Sequence, residues 1–227
     1  MGARSRKAAV IVGVGPGLGA SLARRFAAGG YVPALVARTR DNLEAIAADI
    51  DGAVPFALDG TDSDAVVGLF DRVESEIGPV EVAVYNASGR VKKSILDLAG
   101  KEFELAWRQG CFGGFLTGRE AGRRMAPRGR GTILFTGATA SLKGYAESAA
   151  FAAGKFGLRA VAQSMARELH PKGIHVAHFV IDGQIGESRD GTKLHPDMIS
   201  ESYFAVHEQD RSAWTHEVEL RPWKETF

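Results

Sequence analysis

A chain of 227 residues, 45% hydrophobic and 24% charged, is long enough to bury one sizeable core, and no Pro/Gly/Ser-rich stretch divides it. One domain spanning residues 1–227 is therefore expected. Its 28 Lys+Arg are interspersed with 27 Asp+Glu instead of forming a basic stripe, which argues against nucleic-acid binding. The single cysteine, Cys111, excludes an internal disulfide; in an apolar helical stretch it reads as an inert buried thiol of a cytoplasmic protein.

The basic opening from Arg4 to Lys7 leads into an apolar run, residues 8–12, that Gly13, Gly15, Pro16 and Gly17 cut short. It is too brief for a signal or membrane segment and predicts a buried first strand. Similar short, continuous apolar runs follow at 32–37, 54–58, 80–85, 132–135 and 174–181. Continuous runs, as opposed to alternating ones, predict strands covered on both faces, hence a parallel sheet. Between them, helical periodicity covers 18–28, 41–50, 62–77, 100–125 and 146–169, with Thr61 or Asp62 as an N-cap and Gly78-Pro79 as a stop. Strand and helix alternate throughout, which predicts an α/β, doubly wound, Rossmann-type parallel sheet with helices on both faces. In the last long helix, Leu158, Val161, Ala162, Met165 and Leu169 form an apolar stripe for the core or a subunit interface. Residues 215–221 alternate as an edge strand does, and the aromatic residues Trp214, Trp223 and Phe227 are expected to pack.

The first strand runs into Val12-Gly13-Val14-Gly15-Pro16-Gly17-Leu18-Gly19 and then at once into a helix. Glycines in that position permit a tight turn and close approach of backbone to a pyrophosphate, while the helix N-terminus offers N–H groups and positive dipole. The spacing of Gly13, Gly17 and Gly19 resembles the G-x-x-x-G-x-G turn of the short-chain dehydrogenase/reductase family. Further matches occur in family order: Asp59 after the third strand, Asn86-Ala87-Ser88 after the fourth, where the family has Asn-Ala-Gly, and Lys155 in the fifth helical region. The family's usual threonine before the turn is Val12 here.

The resemblance implies a nicotinamide cofactor held by Gly13, Gly15, Pro16, Gly17, Leu18 and Gly19, with Asp59 near the adenine, Asn86, Ala87 and Ser88 near the adenosine ribose, and Thr136 and Lys155 at the reacting end. An NAD-preferring member would carry an acid at the end of the second strand; this chain reads Ala37-Arg38-Thr39-Arg40. Arg38, with Thr39, would receive a ribose 2′-phosphate, so NADP(H) is the expected cofactor. A small-molecule substrate, no nucleic acid, no membrane and a homodimer or homotetramer complete what the resemblance implies.

The catalytic pattern departs from the family. Members reduce a carbonyl with a tyrosine as acid, a lysine beside it, a serine that orients the substrate oxygen and an asparagine that organises water. By register with the family motifs, Phe151 takes the tyrosine position, Ala138 the serine position and Gly110 the asparagine position, and Lys155 is retained. Phenylalanine has no proton to give and alanine no hydroxyl, so the usual relay cannot run through these positions. Where the family commonly has Pro-Gly after the sixth strand, this chain has Asp182-Gly183.

Four accounts follow. Hydride transfer goes to a substrate needing little acid help, such as a cationic imine paired with Asp182 or an activated alkene. Alternatively the proton donor has moved to Tyr145, Lys155 or His178, with Thr136, Thr139 or Ser141 polarising the substrate. A third account has a catalytically inactive NADP(H)-binding protein that senses cofactor or engages a partner. In the fourth, Tyr145, Asp182 and His178 are ordinary loop and strand-end residues. The leading expectation is an atypical NADP(H)-dependent oxidoreductase acting on a small carbonyl, imine or activated alkene, with residues 183–209 closing the cleft.

Overall fold

Runs of aliphatic and β-branched residues become strands covered on both faces, as their continuity requires. The computed structural model describes residues 6–188 and 190–225. Its strands are β1 (Lys7–Val12), β2 (Tyr31–Ala37), β3 (Val54–Ala57), β4 (Val80–Tyr85), β5 (Gly131–Thr136), β6 (Ile174–Ile181), β7 (Gln184–Ile185), β8 (Lys193–Leu194) and β9 (Glu217–Leu220). Seven of them make one sheet in the order β3-β2-β1-β4-β5-β6-β9, and β7 pairs with β8 separately. All pairings in the large sheet are parallel. Every residue of β4 and β6 is buried.

The helices are α1 (Leu18–Ala28), α2 (Arg40–Ala48), α3 (Ser63–Glu76), α4 (Gly100–Trp107), α5 (Gly113–Met125), α6 (Ala149–Leu169) and α7 (Pro196–His207). They divide between two apolar clusters. One contains Phe70, Leu116, Phe135 and Leu158; the other contains Leu22, Phe26, Leu43, Phe179 and Tyr203. This is the doubly wound α/β architecture expected from the alternation of strand and helix. Asp62 caps α3 by accepting from the backbone N–H groups of Asp64 and Ala65, each at 3.0 Å.

Local differences from the sequence reading have physical causes. The single helix expected over 100–125 is interrupted by a π-helical turn at Arg108–Phe112. There Gly110 packs so tightly on α6 that a Cβ added to it would lie 3.1 Å from the Gly154 Cα. The helix expected from residue 146 starts at Ala149, because the Ser148 hydroxyl closes a turn onto the Tyr145 carbonyl at 2.8 Å and Glu147 adopts φ 61°. In the stripe on α6, Leu158 and Ala162 are core residues, whereas Val161, Met165 and Leu169 border a groove of about 440 Å³ with Phe115, Gly118 and Gly122 of α5.

At the C-terminal end, Trp214 stacks on His175 with ring centroids 4.8 Å apart. Trp223 contradicts the packing expectation: it is 81% exposed, because it lies beyond β9 where no layer remains to cover it. Phe227 lies outside the described residues.

Candidate functional site

The carboxyl ends of the parallel strands open into two adjoining cavities that share Asn86 and Ser88. This is where a doubly wound sheet binds ligands, since the helices that follow the strands turn away at that edge.

The first cavity, about 300 Å³, is bordered by Gly13, Gly15, Arg38, Asp59, Asn86, Ala87, Ser88 and, unanticipated from the sequence, Gln109. Two glycines of the turn are demanded by packing. Gly13 has φ +92°, and a Cβ there would fall 2.3 Å from the Ala87 nitrogen; a Cβ on Gly19 would fall 2.7 Å from the Val14 Cα. Gly15 and Gly17 differ, because nothing lies within 4 Å of the position their Cβ would take. Packing does not demand them, and their bare backbone leaves a cradle. Pro16 stands between them and Leu18 opens α1, which has no side-chain cap at Gly17 and no acidic residue in its first turn. The positive end of the helix is thus left for an anion. A dinucleotide pyrophosphate fits this cradle.

Asn86 locks the floor by donating its amide to the Gly13 carbonyl at 3.0 Å. Asp59 uses one carboxylate oxygen to accept from the Thr61 backbone N–H and hydroxyl, both at 2.9 Å. Arg38 is exposed at the end of β2 and makes no hydrogen bond or ion pair among the described residues, while Arg40 is engaged by Glu44 at 3.3 Å. Thr39 precedes α2 without capping it through its side chain.

The second cavity, about 870 Å³, is bordered by Leu18, Arg90, Thr136, Ala138, Tyr145, Phe151, Lys155, Gly183 and Ile185, among others. Lys155 is the buried cation at its floor. Its Nζ donates to the Thr136 carbonyl at 2.7 Å, and burial pushes its pKa down to about 8. The Thr136 hydroxyl accepts from Tyr203 at 2.9 Å. Phe151, one helical turn before Lys155, lies with its ring centroid 6.0 Å from Nζ. Ala138 presents a methyl group to the same space, whereas Gly110 sits behind it against Gly154.

Three of the alternative proton donors or charge partners fare differently. Asp182 does not face the cavity: its carboxylate accepts from the Thr139 hydroxyl and from Arg221, each at 2.5 Å. The Asp182 carboxylate is thus committed to Thr139 and Arg221. His178 is fully buried beneath Gly137, with Ser141 Oγ 3.3 Å from Nε2 and Glu217 Oε2 3.2 Å from Nδ1. Burial, reinforced by Lys155 and opposed by Glu217, pushes its pKa down to about 4, so it is neutral and sealed off at pH 7. Tyr145 stands at the rim, 53% exposed, with its hydroxyl unengaged.

Of residues 183–209, Gly183, Gln184 and Ile185 border the cavity, whereas α7 is used to cover α1. There Ser21 donates to Asp197 at 2.6 Å and the Arg25 guanidinium lies 3.6 Å from the Phe204 ring centroid. Arg90 is a residue of the second cavity that sequence reasoning missed. It stands in an irregular loop after β4, where spacing carries no signal for an isolated arginine.

Among the described residues no helix is long and apolar enough to cross a membrane, and no group of three or more His, Cys, Asp or Glu is placed to hold a metal ion. The family profile for short chain dehydrogenases matches residues 7–183. The 3-oxoacyl-[acyl-carrier-protein] reductase MabA of Mycobacterium tuberculosis (strain ATCC 25618 / H37Rv) is 31% identical over 179 residues, covering 79% of this chain and 69% of that one. A solved short-chain dehydrogenase from Rhodopseudomonas palustris superposes with a TM-score of 0.87 at 38% identity, over 97% of this chain and 100% of that one. A metagenomic short-chain oxidoreductase solved in complex with NADP superposes with a TM-score of 0.85 at 26% identity, over 96% and 97%. With the profile, the relatives and the sheet order in agreement, this chain belongs to the short-chain dehydrogenase family.

Proposed function

We propose that the protein is an atypical NADP(H)-dependent short-chain oxidoreductase that transfers hydride to or from a small carbonyl, imine or activated alkene. The observation that carries this reading is the pair of adjoining cavities that run from Arg38 and the bare backbone of Gly15, across the shared Asn86 and Ser88, to buried Lys155. Arg38 would meet the 2′-phosphate with charge-assisted hydrogen bonds, helped by the absence of an acid at the end of β2. Asp59 and Asn86 to Ser88 would border the adenosine, and Lys155 would hold the second ribose. When bound, the nicotinamide supplies or accepts the hydride.

The chain's own residues then set the chemistry. Phe151, Ala138 and Gly110 stand in place of the family's acid, orienting hydroxyl and amide, so the cavity wall is apolar where a proton relay would run. Tyr145 offers a free hydroxyl at the cavity rim that could take over proton donation. Asp182, held by Arg221 and Thr139, is unsuited to pairing with a cationic imine, which favours the carbonyl and activated-alkene classes. The partly exposed apolar groove between α5 and α6 supports a homodimer or homotetramer. The balanced charge and single buried thiol support a cytoplasmic setting.

Titration with NADPH and NADH, followed by nicotinamide fluorescence, tests the reading. NADPH should bind more tightly, and Arg38→Ala should weaken NADPH by about 10- to 100-fold while leaving NADH unchanged, the range expected for one or two charge-assisted hydrogen bonds. Equal affinity for both cofactors in wild type and variant would sink the phosphate assignment. Tight binding without turnover of any carbonyl or alkene would favour the cofactor-sensing alternative, which the lack of a hydroxyl at Phe151 also fits.

A further inference from the structure

The cleft beside Phe151 holds one permanent charge that the fold itself does not use. The Arg90 guanidinium carbon lies 5.7 Å from the centroid of the Phe151 ring, whose other neighbouring cation, Lys155, is 6.0 Å away. Among the described residues Arg90 makes no hydrogen bond or ion pair. The next two basic residues in the chain do: Lys92 has Glu147 at 3.5 Å and Lys93 has Glu102 at 2.7 Å. Of the carboxylates on the cleft wall, Glu147 thus faces Lys92, and Glu225 lies over Gly183, where its Oε2 is 3.4 Å from the position of an added Cβ. Asp182 is engaged by Arg221 and Thr139.

A guanidinium keeps its proton at any working pH and presents a planar fork that matches a carboxylate with two parallel hydrogen bonds. The π face of the Phe151 ring restrains the guanidinium, which remains exposed to solvent. Val91, Tyr145, Ile181 and Ile185 give the cavity an apolar stretch of wall, beside polar residues such as Ser88, Thr139 and Gln184.

We propose that the cleft takes a substrate with a carboxylate on a small hydrophobic body, and that Arg90 is the specificity-determining residue that recognises it. This inference rests on the reading of the second cavity as the substrate site. Arg90 positions the anion and transfers no proton.

Benzoate and benzamide, alike in shape and different in charge, test it by calorimetric titration of the full-length protein with and without saturating NADP⁺. Benzoate should bind about threefold or more tightly than benzamide, as one charge-assisted pair at an exposed guanidinium implies. Arg90→Gln should erase that preference, and Arg90→Lys should keep part of it, because the charge remains while the fork is lost. The affinity for NADP⁺ should be the same in both variants. Equal binding of the two probes, no saturable benzoate binding, or a preference that survives Arg90→Gln would overturn the proposal. So would a loss of NADP⁺ affinity in Arg90→Gln, which would make Arg90 a cofactor residue. If wild type fails to bind NADP⁺, the oxidoreductase reading fails, while the benzoate preference measured without cofactor still decides the anion site.

Discussion

Lys155 shows what the site costs at the level of one side chain. Its ammonium is buried and hydrogen-bonded to the Thr136 carbonyl, and burial lowers its pKa from 10.5 to about 8. Because the folded pKa lies below the unfolded one, the fold prefers the neutral amine. The resulting penalty is fully present below pH 8 and fades as pH rises from 8 to 10.5. A shift of that size is on the order of 3 kcal/mol, partly offset by the bond to Thr136. Lys155→Met should therefore be more stable than wild type by about 2 kcal/mol at pH 7 in urea denaturation, with the gain shrinking by pH 9.5. A variant that is less stable at pH 7 would show that the lysine is structural. The retained lysine was legible from its four-residue spacing after Phe151, whereas its burial was not, because a helical period does not say which neighbours close over a side chain.

At the scale of an element, the turn between β1 and α1 separates two kinds of glycine. Gly13→Ala must accommodate φ +92° and a methyl group 2.3 Å from the Ala87 nitrogen, whereas Gly15→Ala meets nothing within 4 Å. We expect Gly13→Ala to destabilise the fold by at least about 2 kcal/mol. Gly15→Ala should leave the thermal midpoint nearly unchanged and weaken NADPH tenfold or more by filling the cradle. Thermal melts and fluorescence titrations of the two variants check this, and a Gly15→Ala protein that binds NADPH normally would remove the cradle. The sequence pattern marked both glycines without distinguishing them, since their roles depend on what the strand β4 and its continuation bring alongside. The same limit applies to Gly110: its register pointed to a lost amide, and the structure adds a backbone contact with Gly154 inside a π-helical turn.

Across the whole molecule, acid should act through the buried and partly buried histidines of β6, the turn before it and α7. His178 and His207 are buried and held down to about 4, in each case mainly by desolvation. His207 bridges the Tyr31 hydroxyl at 2.6 Å and the Thr132 hydroxyl at 2.8 Å, tying α7 to β2 and β5. Burial lowers the pKa values of His170 and His175 as well. A histidine whose folded pKa is depressed contributes stability above its unfolded pKa of about 6.5 and loses it as pH falls toward the folded value. Wild type should lose several kcal/mol between pH 6.5 and 4, with His178 and His207 each supplying on the order of 3 kcal/mol. His207→Gln should flatten that decline by about one such increment, read from denaturant midpoints at pH 4.5 and 7.5. An equal decline in wild type and variant would place the acid sensitivity elsewhere.

The sequence by itself determined the layered architecture, the glycine-rich turn between the first strand and helix, and an N-cap at Thr61 or Asp62, of which the structure uses Asp62. Those features depend on residues close together in the chain or on the periods of strand and helix, and local backbone preferences and binary patterning are written there. Tertiary structure alone decided that Asp182 is held by Arg221 and Thr139, that His178 is closed beneath Gly137, that α7 covers α1, and that Arg90 faces Phe151 without a partner. Each of these joins residues far apart in sequence. Which charges meet at the carboxyl edge of a parallel sheet is set by strand order and loop path, and neither leaves a periodic trace in the chain.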